Sequence, residues 1–103
     1  MTMTLSVPVT HPAEALVLAR IPAGVRERAA AVRLMVFDVD GVLTDGSLYY
    51  GDNGELQKRF NVLDGHGLRL LMEGGLKVAL MTGRSGPIVA RRAAELGIAE
   101  VIQ

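Results

Sequence analysis

Two aspartates separated by one residue, Asp38 and Asp40, come directly after a compact apolar run that ends at Phe37. In open α/β sheets, ligands bind at the carboxyl ends of the strands, and this pair lies at such an end. Carboxylates this close repel each other unless a cation lies between them. Magnesium prefers oxygen ligands and commonly shares them with a substrate phosphate. The pair therefore indicates attack on phosphate, with Asp38 as the nucleophile and Asp40 as the acid and base.

The segment Asp38-Val39-Asp40-Gly41 also has two simpler interpretations. Asp and Gly are common in turns, so these four residues alone fit a solvated turn after a strand. A calcium-binding loop would need glycine at its sixth position and an acid at its twelfth. Here the glycine is fourth and the twelfth residue is Tyr49. The longer segment 36–46, with the sequence Val-Phe-Asp-Val-Asp-Gly-Val-Leu-Thr-Asp-Gly, is much more specific and favours catalysis.

The segments around the aspartates predict strands that alternate with helices, and hence an α/β fold with a parallel sheet. The predicted strands cover 33–37, 77–81 and 99–102, and the predicted helices cover 25–32, 64–73 (or 65–73) and a segment that ends at Leu96. Ser85 is the expected N-cap of the last helix, with Pro87 in its first turn. Residues 47–50 and 55–60 flank Gly-Asp-Asn-Gly, which predicts a β-hairpin.

Length and composition limit the number of domains and the classes of partner. The 103 residues fit a loosely held tail over residues 1–20 and a single domain over residues 21–103. Eleven basic and eleven acidic residues cancel, so no net charge favours nucleic acid or an anionic membrane. The absence of cysteine excludes disulfides and cysteine-held metals. No targeting or membrane-spanning segment stands out, and a cytoplasmic protein is expected.

The segment 36–46 resembles the first motif of the haloacid dehalogenase superfamily of phosphatases, and the segment 78–84 resembles the second. This resemblance implies a Rossmann-like parallel sheet and magnesium-dependent hydrolysis through an aspartyl-phosphate intermediate. It also implies that the hydroxyl of Thr82 hydrogen-bonds to the transferred phosphoryl group. The segment between Gly41 and Thr82 is too short to hold a cap domain as well as the hairpin and a helix. The chain therefore resembles the capless branch.

Within that branch, the hairpin, the turn at 61–67 and the loop at 82–85 resemble the 3-deoxy-D-manno-octulosonate 8-phosphate phosphatases. These are lipopolysaccharide-precursor enzymes that are typically homotetramers. The resemblance implies Mg²⁺ bound by Asp38 and by the main-chain carbonyl of Asp40, and an acidic sugar phosphate as substrate. Guanidinium groups suit such a substrate because they bind phosphate and carboxylate in bidentate fashion. The implied substrate-binding positions are Asp40, Asn61, Val62, Leu63, Asp64, Gly65, Arg69, Gly83, Arg84 and Arg92.

The resemblance also implies two elements beyond Gln103, a lysine that steadies the intermediate and a late acidic pair that completes the magnesium site. Lys58 and Lys77 are the only lysines, and neither matches the implied position. We therefore expect a sheet truncated after about three core strands, with an exposed apolar edge, and weak or no activity of this chain alone. Two alternatives stay open: a phosphatase of a nine-carbon sialic-type acid-sugar phosphate, and a non-catalytic assembly module.

Overall fold

The structure, a computed structural model, describes residues 11–103. Its elements in chain order are α1 (Pro12–Ala19), α2 (Ala23–Ala30), β1 (Leu34–Asp38), β2 (Tyr49–Gly51), β3 (Gly54–Gln57), α3 (Val62–Glu73), β4 (Lys77–Met81), α4 (Pro87–Leu96) and β5 (Glu100–Ile102). The chain divides into two compact units, and the boundary between them falls after Val32. Residues 1–10 of the predicted tail lie outside the described residues.

The first unit contains α1 and α2, and no residue of either helix is buried. The sequence did not predict α1, although Pro12 at its first position has a φ already suited to a helix start. His11 caps this helix, because its Nδ1 accepts a hydrogen bond from the amide of Ala13 at 3.0 Å. α2 begins and ends two residues before the predicted bounds. That the tail is loosely held stays a prediction.

The second unit is built on a three-stranded parallel sheet with the strand order β1-β4-β5. In sequence, the hairpin and α3 lie between β1 and β4, and α4 lies between β4 and β5. No further domain is inserted within residues 42–81, which contain only the hairpin, α3 and β4. The predicted α/β fold with a parallel sheet and without a cap is confirmed.

β4 is the central strand because its middle residues, Val78–Leu80, are all apolar and buried. Leu80 is fully buried in a core formed with residues of the loop after β1, of α3, of α4 and of the turn after α4: Val39, Leu43, Leu68, Val89, Ala93, Leu96 and Ile98. On β1, at the edge of the described sheet, Leu34 and Val36 are about half exposed. These residues alternate with the partly buried Met35 and Phe37, so the exposure is on one face of the strand. The exposed apolar edge stays a prediction.

β2 and β3 form the predicted antiparallel hairpin, although both strands are shorter than predicted. Gly54 has a φ of +106°, a conformation that favours glycine. A two-stranded hairpin is only marginally stable in water, so contacts with the rest of the domain must stabilise this one. One such contact is an antiparallel bridge between Thr44 and Phe60.

α3 begins earlier than predicted. A start at Asp64 or Gly65 was wrong, because the first helical residue is Val62 and Asn61 is the N-cap. The Asn61 side chain accepts a hydrogen bond from the amide of Leu63 at 2.8 Å. A side-chain acceptor at this position satisfies an amide that would otherwise have no partner within the helix. The predicted end of the helix at Glu73 is confirmed.

α4 has the predicted end but not the predicted cap. Ser85 was wrong as the N-cap: Gly86 occupies that position, with no side-chain hydrogen bond to the helix. Pro87 is the first helical residue, and the helix ends at Leu96, before Gly97 with its φ of +79°. Within residues 11–103, no helix combines the length and the apolar character needed to cross a membrane.

Candidate active site

The residues after β1 form a tight loop, the nucleophile loop (residues 38–46), which carries both aspartates. The carbonyl of Val39 accepts hydrogen bonds from the amides of three residues, 42–44, at 2.8–3.2 Å. Gly41 has a φ of +80°, and its amide donates to Thr44 Oγ1 at 3.2 Å. The same hydroxyl oxygen accepts from the amide of Gly46 at 3.1 Å. The loop is therefore fixed by its own main chain and by one threonine side chain.

The two aspartates have different surroundings. Asp38 is exposed, and its Oδ1 accepts a hydrogen bond from the next amide at 2.8 Å. The Asp40 side chain is 27% exposed, and its Oδ1 lies 2.7 Å from Lys58 Nζ. Asp40 Oδ2 lies 3.4 Å from Thr82 Oγ1 and 3.9 Å from Arg84 Nε. One carboxylate is thus open to a ligand, and the other is held on both of its oxygens.

Thr82 and Gly83 follow β4 at the same edge of the sheet. Asp38 is paired with Met81 across β1 and β4, so the two chain segments leave the sheet side by side. Thr82 is buried, and its hydroxyl oxygen accepts a hydrogen bond from the amide of Arg84 at 3.2 Å. Gly83 is exposed, with open space where a side chain would project. The structure therefore brings Thr82 to the aspartates.

Lys58 contacts this cluster and was not among the residues predicted from the sequence. Its side chain is only 2% exposed, and its ammonium lies 2.7 Å from Asp40 and 2.9 Å from Glu55. Burial lowers the pKa of Lys58, but hydrogen bonds to the two carboxylates outweigh burial and raise the pKa above 10.5. No local sequence signal marks this contact, because it forms only when the hairpin folds against the nucleophile loop.

Arg84 also contacts the hairpin. Its Nη1 donates a hydrogen bond to the hydroxyl oxygen of Tyr50 at 3.3 Å. This hydrogen bond is the main cause that raises the pKa of Arg84 above its ordinary value. A charged guanidinium therefore lies beside Asp40, on the side where Thr82 also lies.

The other predicted substrate residues lie on α3 and α4 and have different contacts. Asn61 is the cap described above, and the Val62 and Leu63 side chains are 80% and 76% exposed. A small cavity beside Phe60 is lined by Asn61, Asp64, Gly65 and Arg92. Within residues 11–103, no hydrogen bond or ion pair joins these residues to Asp38, Asp40 or Thr82.

The position of Arg92 is explained by packing. A Cβ added to the buried Gly65 would collide with Nη2 of Arg92 and would lie 3.1 Å from Leu96 Cδ2. The guanidinium carbon of Arg92 lies 5.6 Å from the centre of the Phe60 ring, within cation–π distance. Arg69 is exposed and lines a separate cavity near the end of α3. The structure therefore does not bring Arg69 to the other predicted residues.

Oxygen donors for a metal are few at this edge of the sheet. They are the Asp38 carboxylate and the main-chain carbonyl of Asp40, which accepts no hydrogen bond from any residue in 11–103. No group of three or more His, Cys, Asp or Glu side chains that could hold a metal occurs among the described residues. Two oxygen donors fit a magnesium ion that takes its other ligands from water and a substrate phosphate.

Similar sequences are found among curated proteins, whereas no protein-family model matches the chain. The 3-deoxy-D-manno-octulosonate 8-phosphate phosphatase of Escherichia coli K12 is 46% identical over 83 residues, which cover 81% of this chain and 44% of that protein. The enzyme of the same name from Haemophilus influenzae is 47% identical over 73 residues, covering 71% and 41%. The chain thus spans less than half the length of these curated relatives.

Similar folds are found among solved structures. A haloacid dehalogenase superfamily (subfamily IIIA) hydrolase from Legionella pneumophila has a TM-score of 0.67 and 43% identity, with 74% of this chain and 42% of that chain covered. An octulosonate 8-phosphate phosphatase from Moraxella catarrhalis, in complex with magnesium, phosphate and the sugar acid, has a TM-score of 0.72 and 44% identity, with 78% and 46% covered. The cobalt-bound enzyme from Haemophilus influenzae has a TM-score of 0.67 and 48% identity, with 69% and 42% covered.

By fold and by its two motifs, the chain is related to the hydrolases of the haloacid dehalogenase superfamily, which confirms the fold class expected from the sequence. Among them, it is similar to the 3-deoxy-D-manno-octulosonate 8-phosphate phosphatases over part of their length.

Proposed function

We propose that this protein hydrolyses 3-deoxy-D-manno-octulosonate 8-phosphate to the free sugar acid and phosphate, a step in the synthesis of a lipopolysaccharide precursor. One observation carries the proposal. The exposed carboxylate of Asp38 lies beside an Asp40 whose two oxygens are held by Lys58 on one side and by Thr82 and Arg84 on the other. The similarity to phosphatases of this name supports the choice of substrate.

In the first step of the proposed reaction, an Asp38 oxygen attacks phosphorus. Oδ1 accepts a hydrogen bond from the next amide, so Oδ2 is the oxygen available for attack. The bond between phosphorus and the sugar oxygen breaks, and an acyl-phosphate forms on Asp38. In the proposed reaction, Asp40 enters this step with a proton on Oδ2 and gives it to the leaving sugar oxygen, while Oδ1 stays beside Lys58. The hydroxyl of Thr82, which lies 3.4 Å from Asp40 Oδ2, donates a hydrogen bond to an oxygen of the phosphoryl group.

In the second step, Asp40 takes a proton from a water molecule, which attacks the phosphorus of the acyl-phosphate. The bond between phosphorus and the Asp38 oxygen breaks, inorganic phosphate leaves, and the carboxylate of Asp38 is restored. Asp40 therefore regains the proton that it gave up, and the protein returns to its starting state.

A magnesium ion held by the Asp38 carboxylate and the Asp40 carbonyl would neutralise negative charge on the phosphoryl group. Magnesium in the Moraxella catarrhalis enzyme and cobalt in the Haemophilus influenzae enzyme support this choice of cofactor. Since no third acidic ligand converges on this site within residues 11–103, we infer weak metal binding and weak turnover for the 103-residue chain alone. A longer form that supplies further ligands would be the active one.

The acidic sugar end of the substrate carries a carboxylate, which calls for a cation. Arg84 is the guanidinium nearest to Asp40, at 3.9 Å. In this proposal Arg84 binds substrate, and Arg92 and the first turn of α3 contact the sugar acid. Arg69 lines a separate cavity, so it is left out of the proposed contacts. The homotetramer and the cytoplasmic location stay predictions.

Phosphate release in the presence of magnesium tests the proposal. We would assay both the 103-residue chain and the complete product of its reading frame on the eight-carbon substrate and on a nine-carbon sialic-type acid-sugar phosphate. Asp38→Asn should lower kcat by at least about 10³-fold, because no other group can form the covalent intermediate. Asp52→Asn is the matched control, since this exposed aspartate lies at the tip of the hairpin and outside the nucleophile loop, and its activity should stay near that of the parent.

Three results would separate the alternatives. Equal activity of Asp38→Asn and the parent protein would overturn the mechanism. Preference for the nine-carbon substrate would favour the sialic-type phosphatase. Phosphate binding without turnover of either substrate by the complete protein would favour a non-catalytic module.

A further inference from the structure

The ammonium of Lys58 is a buried charge between two carboxylates. With 2% of its side chain exposed, it has little water to solvate it. A buried charge is costly unless it is paired and hydrogen-bonded, so the contacts at 2.7 Å to Asp40 and 2.9 Å to Glu55 determine where it lies. Among the described residues the other lysine, Lys77, is 65% exposed and lies 3.5 Å from Glu100. The two lysines therefore have very different surroundings.

The backbone that carries Lys58 is also tied to the nucleophile loop. Phe60, two residues further on, forms an antiparallel bridge with Thr44. The hydroxyl oxygen of Thr44 in turn accepts a hydrogen bond from the amide of Gly41. The hairpin therefore reaches the loop both through its main chain and through the side chain of Lys58. A flexible side chain on a fixed backbone, with a buried and paired head group, has little freedom to move.

The consequence for Asp40 is geometric. Lys58 lies on Oδ1, whereas Thr82 and Arg84 lie on the side of Oδ2. A carboxylate held by a cation at one oxygen cannot rotate about its last bond without breaking that pair. Oδ2 is then the oxygen that faces the groups predicted to surround the phosphoryl group.

We propose that Lys58 is a positioning residue that holds Asp40 by Oδ1, so that Oδ2 delivers the proton to the leaving oxygen. This proposal rests on the proposed function, because it assigns a task within that reaction. It differs from a direct role of Lys58 on the phosphoryl group, which would affect every phosphate ester alike. It also differs from a purely structural role, which would change stability and leave the choice between leaving groups unaltered.

The test compares two leaving groups in the complete protein encoded by the reading frame. The sugar phosphate releases an alkoxide that must be protonated, whereas nitrophenyl phosphate releases a phenolate that needs no proton. Lys58→Met should lower kcat for the sugar phosphate by about 10²-fold, the loss expected for a misplaced catalytic group. The same variant should lower kcat for nitrophenyl phosphate by less than about threefold, since Asp38 and Thr82 stay in place.

Two further variants act as controls. Lys77→Met removes the exposed lysine and should leave both rates near those of the parent protein. In an Asp40→Asn background, Lys58→Met should change neither rate by more than about threefold, because Lys58 acts through Asp40. Equal losses for both esters in Lys58→Met, or independent losses in the double variant, would overturn the proposal.

A spectroscopic measurement on the 103-residue chain keeps this outcome separate from failure of the proposed function. Nitrogen-labelled protein should show one slowly exchanging ammonium signal, from Lys58, which disappears in Lys58→Met and exchanges faster in Asp40→Asn. Equally fast exchange at Lys58 and Lys77 would overturn the proposal whatever the turnover. If Asp38→Asn is fully active while the ammonium is protected, the proposed function fails and the contact stands without its catalytic task.

Discussion

The predicted site residues fall into two groups that the domain holds in different ways. The carboxylate group (Asp38, Asp40, Thr82, Gly83 and Arg84) lies at the end of the sheet, where charged and polar contacts join Asp40, Thr82 and Arg84. The helix group (Asn61–Gly65, Arg69 and Arg92) lies on α3 and α4. A cap, helix packing and an aromatic ring hold Asn61, Gly65 and Arg92, whereas Arg69 is exposed. In the first group the contacts bring polar atoms towards one another. In the second group the contacts mainly cap α3 and pack α3 against α4.

This difference separates two kinds of evidence for function. A threonine, an aspartate and a buried lysine have no folding reason to meet at a strand end, because apolar residues of similar size would stabilise a core as well or better. Asn61 and Gly65 do have folding reasons for their positions. Asn61 caps α3, and Gly65 leaves the room that Arg92 occupies. Substitutions in the carboxylate group should therefore change rates, and substitutions in the helix group should first change stability.

After the nucleophile Asp38, the largest effect is expected at Thr82. Thr82→Val keeps the shape of the side chain and removes the hydroxyl, so kcat of the complete protein should fall by about 10²–10³-fold, as for loss of one donor to a developing negative charge. Thr82→Ser retains the hydroxyl and should keep most of the activity. Steady-state phosphate release measures both. If valine and serine were equally active, the hydroxyl would have no part in the reaction.

At Gly65, stability is the expected readout, and Gly67 is the matched control on the same helix. Gly67 has open space around it, so Gly67→Ala should stabilise the chain by up to about 1 kcal/mol through helix propensity. Gly65→Ala gains the same propensity but must move the end of the Arg92 side chain and crowd Leu96, so it should stabilise the chain less than Gly67→Ala does. Urea unfolding compares the two. Equal stabilisation would show that Arg92 moves aside freely and that packing does not fix it.

The cap at Asn61 gives the next smaller effect. Asn61→Ala removes the acceptor for the Leu63 amide and should lower the free energy of unfolding by about 1 kcal/mol. Asn61→Asp keeps an acceptor and should retain most of that stability. Thermal unfolding monitored by circular dichroism measures the difference. If alanine changed only the KM for the sugar phosphate, Asn61 would belong functionally with the carboxylate group.

The smallest effect is expected from alkaline titration of Lys58. Its pKa is raised in the folded state, so its stabilising contribution is complete below pH 10.5 and is lost as the pH rises through the higher folded value. The free energy of unfolding of the parent chain should therefore decrease as the pH rises above 10.5. Lys77→Met should show the same decrease, whereas in Lys58→Met the decrease should be smaller. Urea unfolding at several alkaline pH values tests this. An identical decline in all three proteins would contradict it.

Some elements could be predicted from the sequence because local rules suffice for them. β4 was predicted with correct bounds. Its uninterrupted apolar run, between a lysine and a threonine, is too short for a helix and is typical of a buried strand. The end of α4 at Leu96 was predicted because a glycine follows it, and glycine is common just after a helix. In the structure Gly97 has the left-handed conformation typical of that position. The two motifs placed Asp38 and Thr82 at one edge, and their strands are neighbours in the sheet.

Other features were missed, two because a local signal was interpreted otherwise and one because it depends on a tertiary contact. Residues 61–67 were interpreted as a turn, although Asn61 is a good N-cap residue, so the predicted start of α3 was two to three residues late. Pro12 was interpreted as a feature of a tail although proline is also common at the first position of a helix, which it occupies in α1. Lys58 could not be assigned, because its contact with Asp40 spans 18 positions and depends on how the hairpin folds.

The bridge between Thr44 and Phe60 closes the hairpin segment into a loop whose two ends are pinned. Residues at the turn, Asp52 and Asn53, are exposed and lie at the far end of that loop. Lengthening a loop whose ends stay joined costs only about 0.6 kcal/mol for each doubling of its length. The hairpin tip is therefore a natural insertion point, where a tag or a small domain could be grafted while the register of Lys58 and the aspartates is preserved.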